Sequence, residues 1–262
     1  MPVRIEPSDK WVRAYVGGTA VVDSRAPVLF YEDRFPVPGY AFSRSDVRTD
    51  LLRPNEKGPA GGNFFFRPKG PVTQWFDLDV EGRVIPHAVW IRDEPELHDR
   101  LIVSWQPGLL DRWLEEDEEV AGHPRDPFTR VDALASSRHI SVAIDGLVLA
   151  DSRSPVLLFE TGLPTRYYFP REDVNFDALS PSTNHSLCPY KGQADQYWDV
   201  TERPEARNIA WSYSAPFAAV GKITGRVGFY NELVDTTVDG VLVDRPVSPF
   251  SQAANRPGSE PS

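Results

Sequence analysis

The chain has 262 residues and a net charge of −10, with 40% hydrophobic and 25% charged side chains, a composition ordinary for a globular protein. The acidity argues against a nucleic-acid partner, which needs cationic side chains against phosphate. A single cysteine excludes an internal disulfide and a cysteine-rich zinc site.

The 25 prolines and 18 glycines are spread along the chain, as expected for many short elements joined by turns, a pattern of sheet rather than long helix. No apolar core follows Met1 and no apolar run reaches membrane-spanning length, so no membrane contact is expected and the cytoplasm is the expected compartment. Taken in order, "VVDSRAPVLFYE" at 21–32 reads as strand, followed by "YAFSRSDVRTDLLRP" at 40–54, "KGPVTQWFDL" at 69–78 and "AVWIRDEP" around Trp90. Leu109, Leu110, Trp113 and Leu114 then have helical spacing. The acidic run at 115–119 reads as a solvated turn, and "GHPRDPF" at 122–128, with two prolines, as a rigid exit loop.

Beyond residue 129 the same elements return in the same order. "LADSRSPVLLFE" at 149–160 repeats 21–32, "YYFPREDVNFDALSP" at 167–181 repeats 40–54, and "KGQADQYWDV" at 191–200 repeats 69–78. Trp211 answers Trp90, and Pro249-Phe250 answers Pro127-Phe128. Ordered self-similarity at a nearly constant offset marks a tandem duplication. The modules are expected at 1–133, the divergent copy, and 134–250, with a disordered tail at 251–262 rich in Pro and Ser. The duplication also argues that residues 109–114 follow their counterpart into a strand.

The second module opens on "HISVAIDGLVLADS", a hairpin about Asp145-Gly146 that should point Val142, Ile144, Val148 and Ala150 to one side. "PVLLFE" and "TRYYFP" read as strands, and "EDVNFDAL" as a helical turn or a loop. "GKITGRVGFYNELVDTTVDGVLV" at 221–243 reads as two strands with a further hairpin signal at Asp239-Gly240. The class is therefore mainly β, in two tandem modules of small antiparallel sheets with few short helices.

The candidate chemistry gathers in "SLCPYKGQADQYW" at 186–198. Cys188 with His185 nearby in sequence suggests a nucleophile and base, although the first module has Phe66 or Arg67 in place of the thiol. Lys191-Gly192 repeats Lys69-Gly70, and "PYKG" is a good β-turn that could deliver a lysine to a pocket mouth. Tyr167, Tyr168, Tyr190, Tyr197, Trp198, Trp211 and Tyr213 lie in short segments expected to converge, either as core or as a ligand cage in which Tyr168, Tyr190, Trp198, Trp211 and Tyr213 are joined by polar contacts from Glu160, Arg166 and Lys191. Scattered histidines offer no metal pair, and there is no phosphate loop, dinucleotide fingerprint or nucleophile elbow, so neither metal nor cofactor is expected.

"ADSRSPVLLFETGLPTRYYFPREDV", "CPYKGQADQYWDV", "AWSYSAP", "GFYNELVD" and "HPRDPF" together resemble the family described as domain of unknown function 427. The resemblance implies a β-tent architecture, two antiparallel sheets pinned together, similar to the zinc-bearing domains of methionine sulfoxide reductase B and the cereblon drug-binding domain. Paired CxxC motifs of those relatives are missing, so a metal cannot pin these sheets. A nucleotidyltransferase-like label attached to the family finds no support in these residues. The leading expectation is a module in the second repeat that binds a small polar or anionic molecule. The alternatives are an enzyme using Lys191 or Cys188, with His185 as base, and a structural or interaction module with no ligand.

Overall fold

Each copy of the repeat folds as a pair of antiparallel sheets. The computed structural model describes residues 3–32, 35, 37–60, 66–120, 122–201, 203, 206–252 and 256, so most of the 251–262 tail lies outside the described residues. The chain divides into two units, Met1–Asp126 and Pro127–Ser262. Strands account for 49% and short helical turns for 9%. No helix among the described residues is long and apolar enough to cross a membrane.

The first unit runs through β1 (Arg4–Pro7), β2 (Val12–Val16), β3 (Thr19–Ser24), β4 (Val28–Tyr31), β5 (Gly39–Ser43) and β6 (Leu52–Asn55). It continues with β7 (Val72–Val80), β8 (Arg83–Arg92), β9 (Arg100–Val103), β10 (Arg112–Glu115) and β11 (Glu118–Glu119). Seven strands pair in the order β1-β4-β5-β9-β8-β7-β6, and four in the order β11-β10-β2-β3.

The second unit begins with β12 (Val131–Ala135), β13 (Ile140–Ile144), β14 (Leu147–Ser152), β15 (Val156–Glu160), β16 (Arg166–Phe169) and β17 (Leu179–Ser182). There follow β18 (Ser186–Cys188), β19 (Gly192–Ala194), β20 (Gln196–Val200), β21 (Ala210–Ser212), β22 (Val227–Phe229), β23 (Asp235–Val238) and β24 (Val241–Val243). Its sheets are β12-β15-β16-β22-β21-β20-β17 and β14-β13-β23-β24, with β18-β19 as a separate ribbon. The two topologies match strand for strand apart from this ribbon.

In the second unit Ile140, Val142 and Leu149 of the smaller sheet meet Phe169, Trp198, Val200, Ala210 and Phe229 of the larger in one buried core. A second apolar cluster lies on the other face of the larger sheet, where Val156, Leu158, Tyr168, Tyr197 and Trp211 meet Ala194, Val220 and Ile223. Adjacent residues such as Phe169 and Tyr168 thus belong to different clusters, because the pleat sends successive side chains to opposite faces.

Two local expectations are revised, strict alternation along 147–150 and a strand at "GKITGR". Leu149 is an extra residue between the pairs Val142↔Ala150 and Ala143↔Val148. This bulge turns Val148 outward while Leu149 and Ala150 are buried, so strict alternation fails there. Val21 does the same in the first unit, between Ala14↔Val22 and Tyr15↔Ala20. Residues 112–115 form a strand, as their duplicated partner does, despite helical spacing. "GKITGR" is not strand: Ala218–Ile223 is a 3₁₀ segment, and the strand starts at Val227. "EDVNFDAL" makes two 3₁₀ turns, Arg171–Asp173 and Phe176–Ala178.

The acidic run is also not wholly solvated. Glu115 is buried, accepting from Lys10 Nζ at 2.7 Å and Tyr40 Oη at 3.0 Å, while Glu116–Glu119 stay exposed. A carboxylate at 3% side-chain exposure persists because both of its oxygens are bonded.

Candidate functional site

The outward face of the second unit's larger sheet carries most of the residues singled out above. The β18–β19 ribbon folds over it, with Cys188↔Gly192 and Ser186↔Ala194 facing pairs. Between the strands, Lys191 N–H donates to Cys188 O at 3.3 Å, and Gly192 takes φ +92°, a left-handed value that glycine adopts at no steric cost. "PYKG" is thus the expected turn. Alternation along the ribbon puts Ser186, Cys188 and Ala194 toward the sheet, and leaves Leu187 and Gln193 exposed. Ser186 Oγ and Tyr197 Oη lie 2.6 Å apart, tying the ribbon to β20.

Lys191 is 9% exposed, and its Nζ donates to Glu160 Oε2 at 2.5 Å. Burial opposes its charge, but the adjacent Cys188 thiol, the Glu160 carboxylate and the Tyr168 phenol outweigh burial and hold the ammonium above the ordinary lysine range. An ammonium has three hydrogens to donate. Glu160 takes one, and no other side-chain or backbone acceptor among the described residues takes the remaining two.

Tyr168 is fully buried on β16. Its Oη accepts from Trp211 Nε1 at 3.1 Å, and burial pushes its phenol up to about 12. Burial likewise pushes Tyr197 up to about 12, and Tyr213 and Tyr230 well above the usual phenol value. Tyr213, 4% exposed, stands electrostatically against Tyr168 and Cys188, and its hydroxyl makes no hydrogen bond among the described residues.

Beside this group, Arg166 donates to Glu232 through Nη1 and Nη2 at 2.5 and 2.7 Å, a bidentate pair buried on both sides. Burial opposes ionisation of Glu232, and the guanidinium more than offsets it, holding the carboxyl below its usual range. Ser248 Oγ donates to the same carboxylate, and Phe250 lies 5.8 Å from the guanidinium and from Tyr230. Arg166 is therefore neutralised within the protein.

Of the expected residues, Glu160, Arg166, Tyr168, Lys191, Trp211 and Tyr213 share this face. Tyr190 is half-buried in the turn beside them. Trp198 sits between the two sheets, edge-on to Phe176 at 5.6 Å. Its neighbour Tyr197 is the residue that faces the cluster. Cys188 is half-buried on the cluster side, whereas His185 is exposed ahead of β18 and takes no part in these bonds. Sequence reasoning missed Tyr230, Glu232 and Phe250. For Glu232 a signal existed, since a buried arginine requires a carboxylate partner. No group of three His, Cys, Asp or Glu among the described residues could hold a metal.

The first unit supplies an internal control. Alignment of the repeats puts Gly39, Ala41 and Arg92 at the positions of Arg166, Tyr168 and Tyr213. Arg92 bonds Glu32 and Glu94, while Lys69 gives its backbone N–H to Glu32 and its Nζ to Arg67 O. Trp90 Nε1, the equivalent of Trp211 Nε1, is buried without a partner among the described residues, because Ala41 has no hydroxyl to offer. The same fold thus closes its outward face without the tyrosines.

No curated protein matches the chain. Residues 4–103 and 132–240 each match the model of the family described as "Domain of unknown function (DUF427)". Together these segments span most of the sequence, so the chain belongs to that family, as a tandem of two copies.

Proposed function

We propose that the second module binds a small polar molecule bearing acceptor oxygens, a carboxylate or carbonyl compound, against Lys191, Tyr213 and Trp211. One observation carries this reading: Lys191, a nine-tenths buried residue, uses one of its three ammonium donors, beside Tyr213, whose hydroxyl bonds no other described residue. The first unit shows that the fold does not require this arrangement, since Arg92 closes the equivalent site with two carboxylates. Half-buried Cys188 and Tyr190 mark the side from which a molecule would enter. One free thiol and no disulfide suit a reducing compartment such as the cytoplasm.

The test is a set of small carboxylic acids and amides titrated into ¹⁵N-labelled full-length protein. Shifts are expected at residues 188–194 and at the Trp211 indole, weakened by Tyr213→Phe, which removes a hydroxyl that bonds no other described residue. If no compound moves these resonances, or Tyr213→Phe and Lys191→Met leave the shifts unchanged, the binding reading fails and the cluster is core.

A further inference from the structure

Sheet edges expose unpaired backbone groups, and proteins blunt them with charge, proline, short length or cover. In the first unit the edge strand β11 is two exposed glutamates. In the second, β17 carries Pro181 and β12 packs against the Ala218–Ile223 turn. By contrast β24, the outer strand of the smaller sheet, reads Val-Leu-Val with neither charge nor proline. Val241 and Leu242 are each 66% exposed. The position that is acidic in one copy of the repeat is thus apolar and open in the other.

The hairpin geometry fixes what that edge offers. Asp239 and Gly240 have φ of 51° and 83°, both positive as a type I′ turn requires. A two-residue turn of this type makes Val238↔Val241 the hydrogen-bonded pair, so Thr237↔Leu242 is a non-bonded pair. The N–H and C=O of Leu242 therefore point away from β23, out of the sheet.

We propose that β24 pairs antiparallel with β24 of a second copy of this chain, about a two-fold axis through Leu242, joining two four-stranded sheets into one of eight. In this register Leu242 faces the partner's Leu242 as a hydrogen-bonded pair. The ladder ends at the two turns, where Gly240 comes beside the partner's Asp244. Val241 faces the partner's Val243, and their side chains lie on the face that already buries Val238 and Thr236. Asp239 comes opposite the partner's Arg245. Both side chains are about half exposed, at 51% and 44%, so they can approach each other without giving up Arg138 and Asp235. Charge, backbone phase and apolar pattern agree on one self-complementary register, as an isologous interface demands. Edge pairing buries far less than the ~1,600 Å² of a standard interface, so the association is weak and concentration-dependent.

Sedimentation of the full chain tests this. The weight-average mass is expected to climb from 29.4 kDa toward twice that value with concentration. Leu242→Lys sets two ammonium groups against each other and should weaken association about tenfold, with an unchanged melting curve. A crosslinking test reads the register. In a Cys188→Ser background, Leu242→Cys should oxidise to a disulfide dimer far faster than Leu187→Cys, which is comparably exposed on β18. A 29.4 kDa species at every soluble concentration overturns the proposal, as does a dimer that Leu242→Lys leaves intact or equal crosslinking at 242 and 187. Capture of another protein's strand in place of a second copy would equally overturn it.

Discussion

Tyr168 and Gly228 face each other across β16 and β22, and the equivalent pair in the first unit is Ala41 and Ile102. A Cβ placed on Gly228 would stand 3.0 Å from the Tyr168 ring and 3.3 Å from the Trp211 indole. The glycine is there to make room for the phenol. In the first unit bulk has moved to the other partner, an approximate conservation of volume that cores tolerate. The exchange carries one cost, the unpartnered Trp90 indole N–H. The two solutions should therefore be interchangeable as pairs and damaging when mixed. Tyr168→Ala is expected to cost about 3–5 kcal/mol through its cavity, and Gly228→Ile about 1–3 kcal/mol through overpacking. Tyr168→Ala with Gly228→Ile should cost less than the sum by about 1–3 kcal/mol, measured by urea unfolding in a double-mutant cycle. Strict additivity would show that the two sites do not share space.

At the level of elements, the β18–β19 ribbon is what the second unit adds to the common topology, and Lys191 is its anchor to β15. The Glu160 and Lys191 side chains are 9% and 11% exposed, so removing one partner strands the other charge away from water. Lys191→Met is expected to destabilise the second unit by about 3 kcal/mol, and Lys191→Met with Glu160→Gln by distinctly less. Thermal unfolding followed by tryptophan fluorescence would decide. Equal losses in the single and double variants would mean that Glu160 finds water once Lys191 is gone. Much of this was legible in the sequence: the duplication, the turn at "PYKG" and the lysine it carries all follow from residue spacing. What was not legible has local causes. One-residue bulges at Leu149 and Val21 reverse which neighbours face inward, and a bulge leaves no mark in an apolar run. The neighbours Tyr197 and Trp198 both read as members of the aromatic group, and only strand phase gives the cluster face to Tyr197 and the inter-sheet core to Trp198. The Arg166–Glu232 pair joins residues far apart in sequence, so only the fold brings them together.

Across the whole molecule, buried phenols set how stability responds to alkali. Tyr168 and Tyr197 are pushed up from 10.0 to about 12 by burial, and Tyr31, Tyr40, Tyr213 and Tyr230 are raised by burial as well. A group whose pKa is higher folded than unfolded stabilises the fold fully below its unfolded pKa, and that contribution is lost as pH rises through the folded value. Both units should therefore weaken from about pH 10 upward, with Tyr168 and Tyr197 each accounting for roughly 2–3 kcal/mol by pH 12. The raised Lys191 acts in the same direction. Lys69 of the first unit acts against it: burial lowers its pKa to about 8, so its penalty at neutral pH is relieved in alkali. At the acid end Glu232 and Asp77 are held below their usual range, and their contributions disappear as pH falls below about 4. Urea midpoints are expected to be flat from about pH 6 to 8, to rise slightly as Lys69 loses its proton, and to fall steeply between about pH 10 and 12. Phenolate absorbance should show Tyr168→Phe removing one late-titrating group from the folded chain. A stability profile level through pH 12, or phenols that all ionise near 10, would contradict the burial of these tyrosines.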